Sequence, residues 1–138
     1  MNPYTSTLEL TAQVHAARWA RSHTRTVLRA WQLPEERVDT AQLVVSELVT
    51  NAVRHDTGQQ DSTIEPRVTL TLHCETAQLI VLVSDGNPNP PMSNGAVPQA
   101  AEGGRGLIIV EAVSKEWSYY FPPTGGKVVW CILELGSE

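Results

Sequence analysis

The stretch LVVSELVTNAVRHD, residues 43–56, decides how this chain is read. Its spacing is helical. Glu47 and Asn51 are four residues apart and Arg54 is seven from Glu47, so at helical pitch the three share one face, with His55 at its edge. Ala41, Val45, Leu48, Val49 and Ala52 fall on the other side and are expected to pack inward. A carboxylate and an amide on one face suit a metal–nucleotide site. The amide oxygen is a neutral hard ligand for Mg2+, and the carboxylate can take a proton from an attacking hydroxyl. The same pair also reads as the polar stripe of an amphipathic helix, and Glu47 and Asn51 alone favour that plainer reading.

Working outward, Pro34 stops one helix and opens the next, a favoured place for proline. The second helix is expected over about 35–55 and the first over 12–32, with Ala16, Ala20, Val27 and Trp31 on one side and Arg18, Arg21, Arg25 and Arg29 on the other. Residues 4–10 alternate weakly and suggest a short edge strand. Segment 56–66 is a polar loop. RVTLTLHCE (67–75) alternates as a half-buried strand should, and QLIVLVSD (78–85) is apolar almost throughout, as a central strand should be. Four prolines and four glycines crowd residues 86–104, predicting a lid or binding loop. A helix beginning at Gly106 and strands at WSYYF (117–121) and KVVWCILEL (127–135) follow. Helices beside meander-like strands predict an α+β two-layer sandwich over one domain, residues 1–138.

Two further clusters carry chemistry. Asp85 ends an apolar strand, where its carboxylate can accept from an exocyclic amine such as adenine's, and Gly86 allows a ligand to come close. A strand-ending turn aspartate is the ordinary alternative. Gly103, Gly104 and Gly106 cluster before a helix, where free backbone N–H groups make an anion site, and Arg105 adds a cation. The spacing is neither a P-loop nor a dinucleotide fingerprint. A hinge is the plainer reading and is compatible with phosphate binding.

In this order the clusters resemble a known family. ELVTNAVRH (47–55) looks like the N box of the ATPase superfamily of gyrase, histidine kinases, mismatch-repair ATPases and heat-shock chaperones. SDGNP (84–88) looks like its first glycine box, GGRGLIIV (103–110) like its second, and GGKVVWCIL (125–133) like its closing strand. The short layout most resembles the anti-sigma-factor serine/threonine kinases, over about residues 10–135. The resemblance implies a Bergerat-type fold, helices on one face of a mixed, mostly antiparallel sheet, with ATP under the lid. It implies Asn51 as the Mg2+ ligand and Glu47 as catalytic base. Asp85 and Gly86 would face the adenine, and Gly103, Gly104, Arg105, Gly106 and Leu107 the phosphates. The implied partners are a sigma factor and an anti-anti-sigma antagonist protein, with a homodimer as an option. One departure stands out: where the family reads DxGxG, Asp85 is followed by Gly86, Asn87 and Pro88. That leaves a second reading open, a non-catalytic interaction module of the same fold.

Composition narrows the remaining classes. The formal net charge is −5, which disfavours general nucleic-acid binding. The arginine stripe 18/21/25/29 reads as a solvated face, with an acidic-protein docking surface as its alternative. Cys74 and Cys131 lie in strand-like runs and read as buried thiols, and the histidines show no i, i+4 pair for a metal. No signal peptide or membrane span is evident, so a cytoplasmic setting is expected.

Overall fold

The computed structural model describes residues 4–55, 66–91 and 102–136, with the backbone alone at 55 and 102–106. Most of the 86–104 loop and all of the 56–65 part of the polar segment lie outside the described residues. The element order is β1 (Tyr4–Thr11), α1 (Ala16–Ala30), α2 (Glu35–His55), β2 (Arg67–Glu75), β3 (Gln78–Asp85), α3 (Glu102–Val113), β4 (Glu116–Tyr120) and β5 (Lys127–Glu134). The five strands form one sheet in the order β1-β2-β3-β5-β4, and all four ladders are antiparallel. The three helices pack with α2 in the middle, against α1, α3, β2 and β3. The fold is therefore the expected α+β sandwich, with a sheet antiparallel throughout its described pairings rather than mixed.

Alternation explains which face is dry. In β2, Val68, Leu70, Leu72 and Cys74 are buried; in β3, Leu79, Val81 and Val83; in β5, Val129, Cys131 and Leu133. These rows meet Val38, Ala41, Val44, Val45, Leu48, Val49 and Ala52 of α2 in one continuous core. Complete burial of a Val or Leu stabilises by about 1.5–3 kcal/mol, which makes this seam the main source of stability. Burial also pushes both thiols up, Cys131 to about 11, so they behave as core apolar groups.

The first helix differs from its sequence reading. It starts at Ala16, because residues 12–15 form a bend and turn, and the Ala16 N–H donates to the Gln13 carbonyl. Its buried stripe is Ala16, Ala20, Thr24 and Leu28. Trp31 instead stacks on Tyr4, with ring centroids 5.3 Å apart, and so fastens β1 to the end of α1. The arginine stripe also divides. Arg21 donates to Ser46 Oγ at 3.0 Å, tying α1 to α2, and Arg29 is engaged in an exposed pair with Glu35 at 2.8 Å. Arg18 and Arg25 are exposed.

His23 links α1 to β1 through Ser6 Oγ at 2.9 Å. Partial burial lowers its pKa from the usual 6.5. The unfolded chain then takes the proton more readily, so this contribution is present above 6.5 and is lost as pH falls through the lower folded value. A Tm series from neutral pH downward should show a loss that His23→Gln reduces. Identical acid profiles in the two proteins would show that His23 is not responsible.

Candidate functional site

The core-facing rows of two strands each end in a polar residue, and α2 buries one near the end of its stripe. On β3 the row Leu79, Val81, Val83 continues to Asp85, and on β5 the row Leu133, Cys131, Val129 continues to Lys127. On α2 the buried stripe runs to Asn51 beside Ala52. Asn51, Asp85 and Lys127, with Thr24, are the buried polar side chains among the described residues.

Antiparallel pairing sets Asp85 directly opposite Lys127. Lys127 Nζ donates to Asp85 Oδ1 at 3.1 Å and to the Asn87 carbonyl at 3.4 Å. Both side chains are nearly inaccessible, 2% exposed for Lys127 and 1% for Asp85. The Asn87 N–H donates to the same Oδ1 at 2.8 Å, closing a turn just past the strand. Asp85 Oδ2 accepts from no group among the described residues. Gly126, at φ +73, lies against this turn: a Cβ there would overlap the Asp85 carbonyl oxygen and sit 3.1 Å from the Gly86 Cα. Glycine is thus required before Lys127 for both conformation and space.

Glu47 and Asn51 are one turn apart on α2, as expected, yet they differ in setting. Among the described residues, the half-buried Glu47 pairs with no group and Asn51, 6% exposed, has an unpartnered Oδ1. Arg54 is exposed, so the three do not form a single wet stripe. Burying an acceptor without a donor costs about 1–3 kcal/mol. Four buried side-chain oxygens lack a partner among the described residues: the hydroxyls of Thr24 and Ser114, and Asn51 Oδ1 and Asp85 Oδ2, of which the last two mark places where a donor or a cation is due. An amide oxygen fits Mg2+, and a carboxylate oxygen fits an exocyclic amine.

The glycine cluster sits differently from its sequence reading. α3 begins at Glu102, so Gly103, Gly104, Arg105 and Gly106 form its opening turn rather than precede it. Their backbone still belongs to a helix N-terminus. The side chains of residues 102–106, and that of His55, lie outside the described residues. Leu107 is buried in the core and anchors this turn.

Residues 10–133 match the profile of the histidine kinase-like ATPase domain. The chain belongs to that family. It is thus an ATP-binding domain of the histidine kinase-like type. Two solved structures share the ATPase-domain fold. One contains the RsbU and RsbW domains of Rv1364c from Mycobacterium tuberculosis, 20% identical with a TM-score of 0.67 over 98% of this chain. The other is the histidine kinase domain of the blue-light activated histidine kinase from Erythrobacter litoralis, 24% identical with a TM-score of 0.50 over 74% of this chain. This ATPase domain spans 33% of the first chain and 46% of the second. No curated protein matches it at a significant level.

Lys127 is a residue of this candidate site that sequence reading did not single out. The available signal was a cation opening an apolar strand directly after two glycines. Its pairing with Asp85, 42 residues away, exists only through the strand order β3-β5. No group of three or more metal-ligating His, Cys, Asp or Glu occurs among the described residues. An Mg2+ site here would rest on Asn51, with phosphate oxygens and water completing the shell, the usual arrangement for this ion.

Proposed function

We propose that this ATPase domain is a serine/threonine protein kinase acting as an anti-sigma factor. It would transfer the γ-phosphoryl group of ATP to a small antagonist protein and hold a sigma factor when that antagonist is absent. The observation that supports this reading most directly is the pair of buried, unpartnered acceptors at Asn51 and Asp85, on the two elements that carry the family's first boxes. Asn51 would hold Mg2+, which neutralises phosphate charge when bound. Asp85 Oδ2 would accept from the adenine amine, with Gly86 leaving room for the base. The amides of the turn Gly103–Gly106, with Arg105, would face the phosphates, and Leu107 would fix that turn. Glu47 would receive the proton of the substrate hydroxyl as its oxygen bonds to phosphorus and the bond to the ADP oxygen breaks. Such transfer needs positioning and charge stabilisation more than covalent chemistry, which suits this set of residues.

A second reading has its own observation. Lys127 already engages Asp85 Oδ1, and the family's glycine pattern after Asp85 is broken. By spacing, Asn87 and Asn89 take the two glycine positions of DxGxG and Pro88 lies between them, and an interaction module that binds a partner without turnover would tolerate this and the Lys127 contact. No helix among the described residues is long and apolar enough to cross a membrane. We infer a cytoplasmic setting, with a sigma factor and an antagonist as partners and a homodimer as the assembly to test.

Calorimetry and thermal unfolding with Mg-ATP, followed by phosphotransfer to an antagonist, decide between the readings. A ligand at a hundred times its Kd stabilises by about 2.7 kcal/mol, so saturating Mg-ATP should raise Tm clearly. Asp85→Asn should lower ATP affinity roughly tenfold to a hundredfold, the loss of one charge-assisted bond. Binding without transfer, with antagonist present, selects the interaction module. No binding at all removes the nucleotide site.

A further inference from the structure

The Lys127–Asp85 pair is a poor structural device. A buried ion pair adds little net stability over apolar residues of the same size, because desolvation offsets the attraction. This one also leaves Asp85 Oδ2 unpartnered among the described residues. An ammonium has three N–H donors. Lys127 places two, on Asp85 Oδ1 and the Asn87 carbonyl, and its third finds no acceptor among the described residues. A spare donor and a spare acceptor therefore stand on partnered side chains held 3.1 Å apart by a fixed strand register.

Adenine shows the complementary edge. Its exocyclic amine is a donor and its neighbouring ring N1 an acceptor. Guanine shows the reverse order, a carbonyl oxygen followed by N1–H. Resting on the reading of Asp85 as the adenine contact, we propose that Lys127 is a second base-reading residue, donating to N1 of adenine while Asp85 Oδ2 accepts from the amine. Lys127 thereby also holds the carboxylate in the rotamer that leaves Oδ2 free. Gly126 supports the arrangement, because only a residue without Cβ lets β5 approach the Asp85 carbonyl closely enough to bring Nζ to the carboxylate.

The probes are ATP, 1-deaza-ATP (N1 replaced by C–H) and purine riboside triphosphate (amine absent), each titrated with Mg2+ into the full chain by calorimetry. Wild type should bind 1-deaza-ATP about tenfold or more weakly than ATP, the effect of losing one bond to a charged donor. Lys127→Met should bind ATP correspondingly weakly and no longer distinguish it from 1-deaza-ATP. The wild-type comparison stands even where Lys127→Met folds poorly. Equal wild-type affinity for ATP and 1-deaza-ATP overturns the role of Lys127. The reading of Asp85 survives that result where purine riboside triphosphate still binds weakly. A wild type that binds none of the three overturns both.

Discussion

A Glu47→Ala variant is expected to bind Mg-ATP nearly as the wild type does and to transfer phosphate roughly 10²–10⁴-fold more slowly. A general base acts mainly in the transition state, so its loss lowers turnover without weakening ground-state binding. The half-buried Glu47 carboxylate pairs with no described group, so its removal strands no partner. Alanine is also the best helix former, which protects α2. Asn51→Ala should behave in the opposite sense: it removes a buried acceptor that needs a cation or donor, so Mg-ATP affinity falls while the fold holds. Affinity by calorimetry and single-turnover transfer to the antagonist, for both variants beside wild type, give the answer. Equal transfer by Glu47→Ala and wild type takes Glu47 out of catalysis.

Gly126→Ala should be among the most damaging single substitutions in the chain, costing roughly 3–5 kcal/mol. Two penalties combine. At φ +73 an L residue meets its own carbonyl, and the added Cβ overlaps the Asp85 carbonyl oxygen, which is backbone and cannot swing aside. The ladder must open where Asp85 faces Lys127, separating the pair. Tm should fall by roughly 10 °C or more. The neighbouring Gly125 supplies the control. It also has positive φ, +102, but its Cβ would meet nothing within 4 Å. Gly125→Ala therefore carries conformational strain alone. Equal losses for the two variants would show that the close approach to Asp85 is unimportant.

Local patterns made much of this architecture readable. Pro34 and the apolar period fixed α2 at Glu35–His55, and alternation fixed the dry rows of β2 and β3. What escaped depends on contacts distant in sequence. Trp31 looked like part of a helix stripe until its partner proved to be Tyr4, on a strand 27 positions earlier. Arg21 looked solvated, yet it reaches Ser46 on the next helix. Gly103 and Gly104 looked like a segment before a helix beginning at Gly106, but glycine is tolerated in an opening turn, where its amides lack helical partners in any case. Within the candidate site, Glu47, Asn51 and Asp85 were visible because their boxes are contiguous in sequence. Lys127 was hidden because nothing local says which strand β5 joins, or in what register.

The strand order carries a consequence for biogenesis. β5, the last of the five described strands in chain order, takes an interior place between β3 and β4. Until it arrives, β3 presents an open edge of unpaired amides bearing Leu79, Val81 and Val83, the kind of surface that recruits foreign strands. Synthesis proceeds at roughly 5–20 residues per second, so this half-built sheet persists for seconds. The nascent chain is therefore most open to misassembly, and most dependent on chaperones, in the interval before Lys127 reaches Asp85. Slowing translation between residues 85 and 127 should lower soluble yield more than slowing it anywhere upstream.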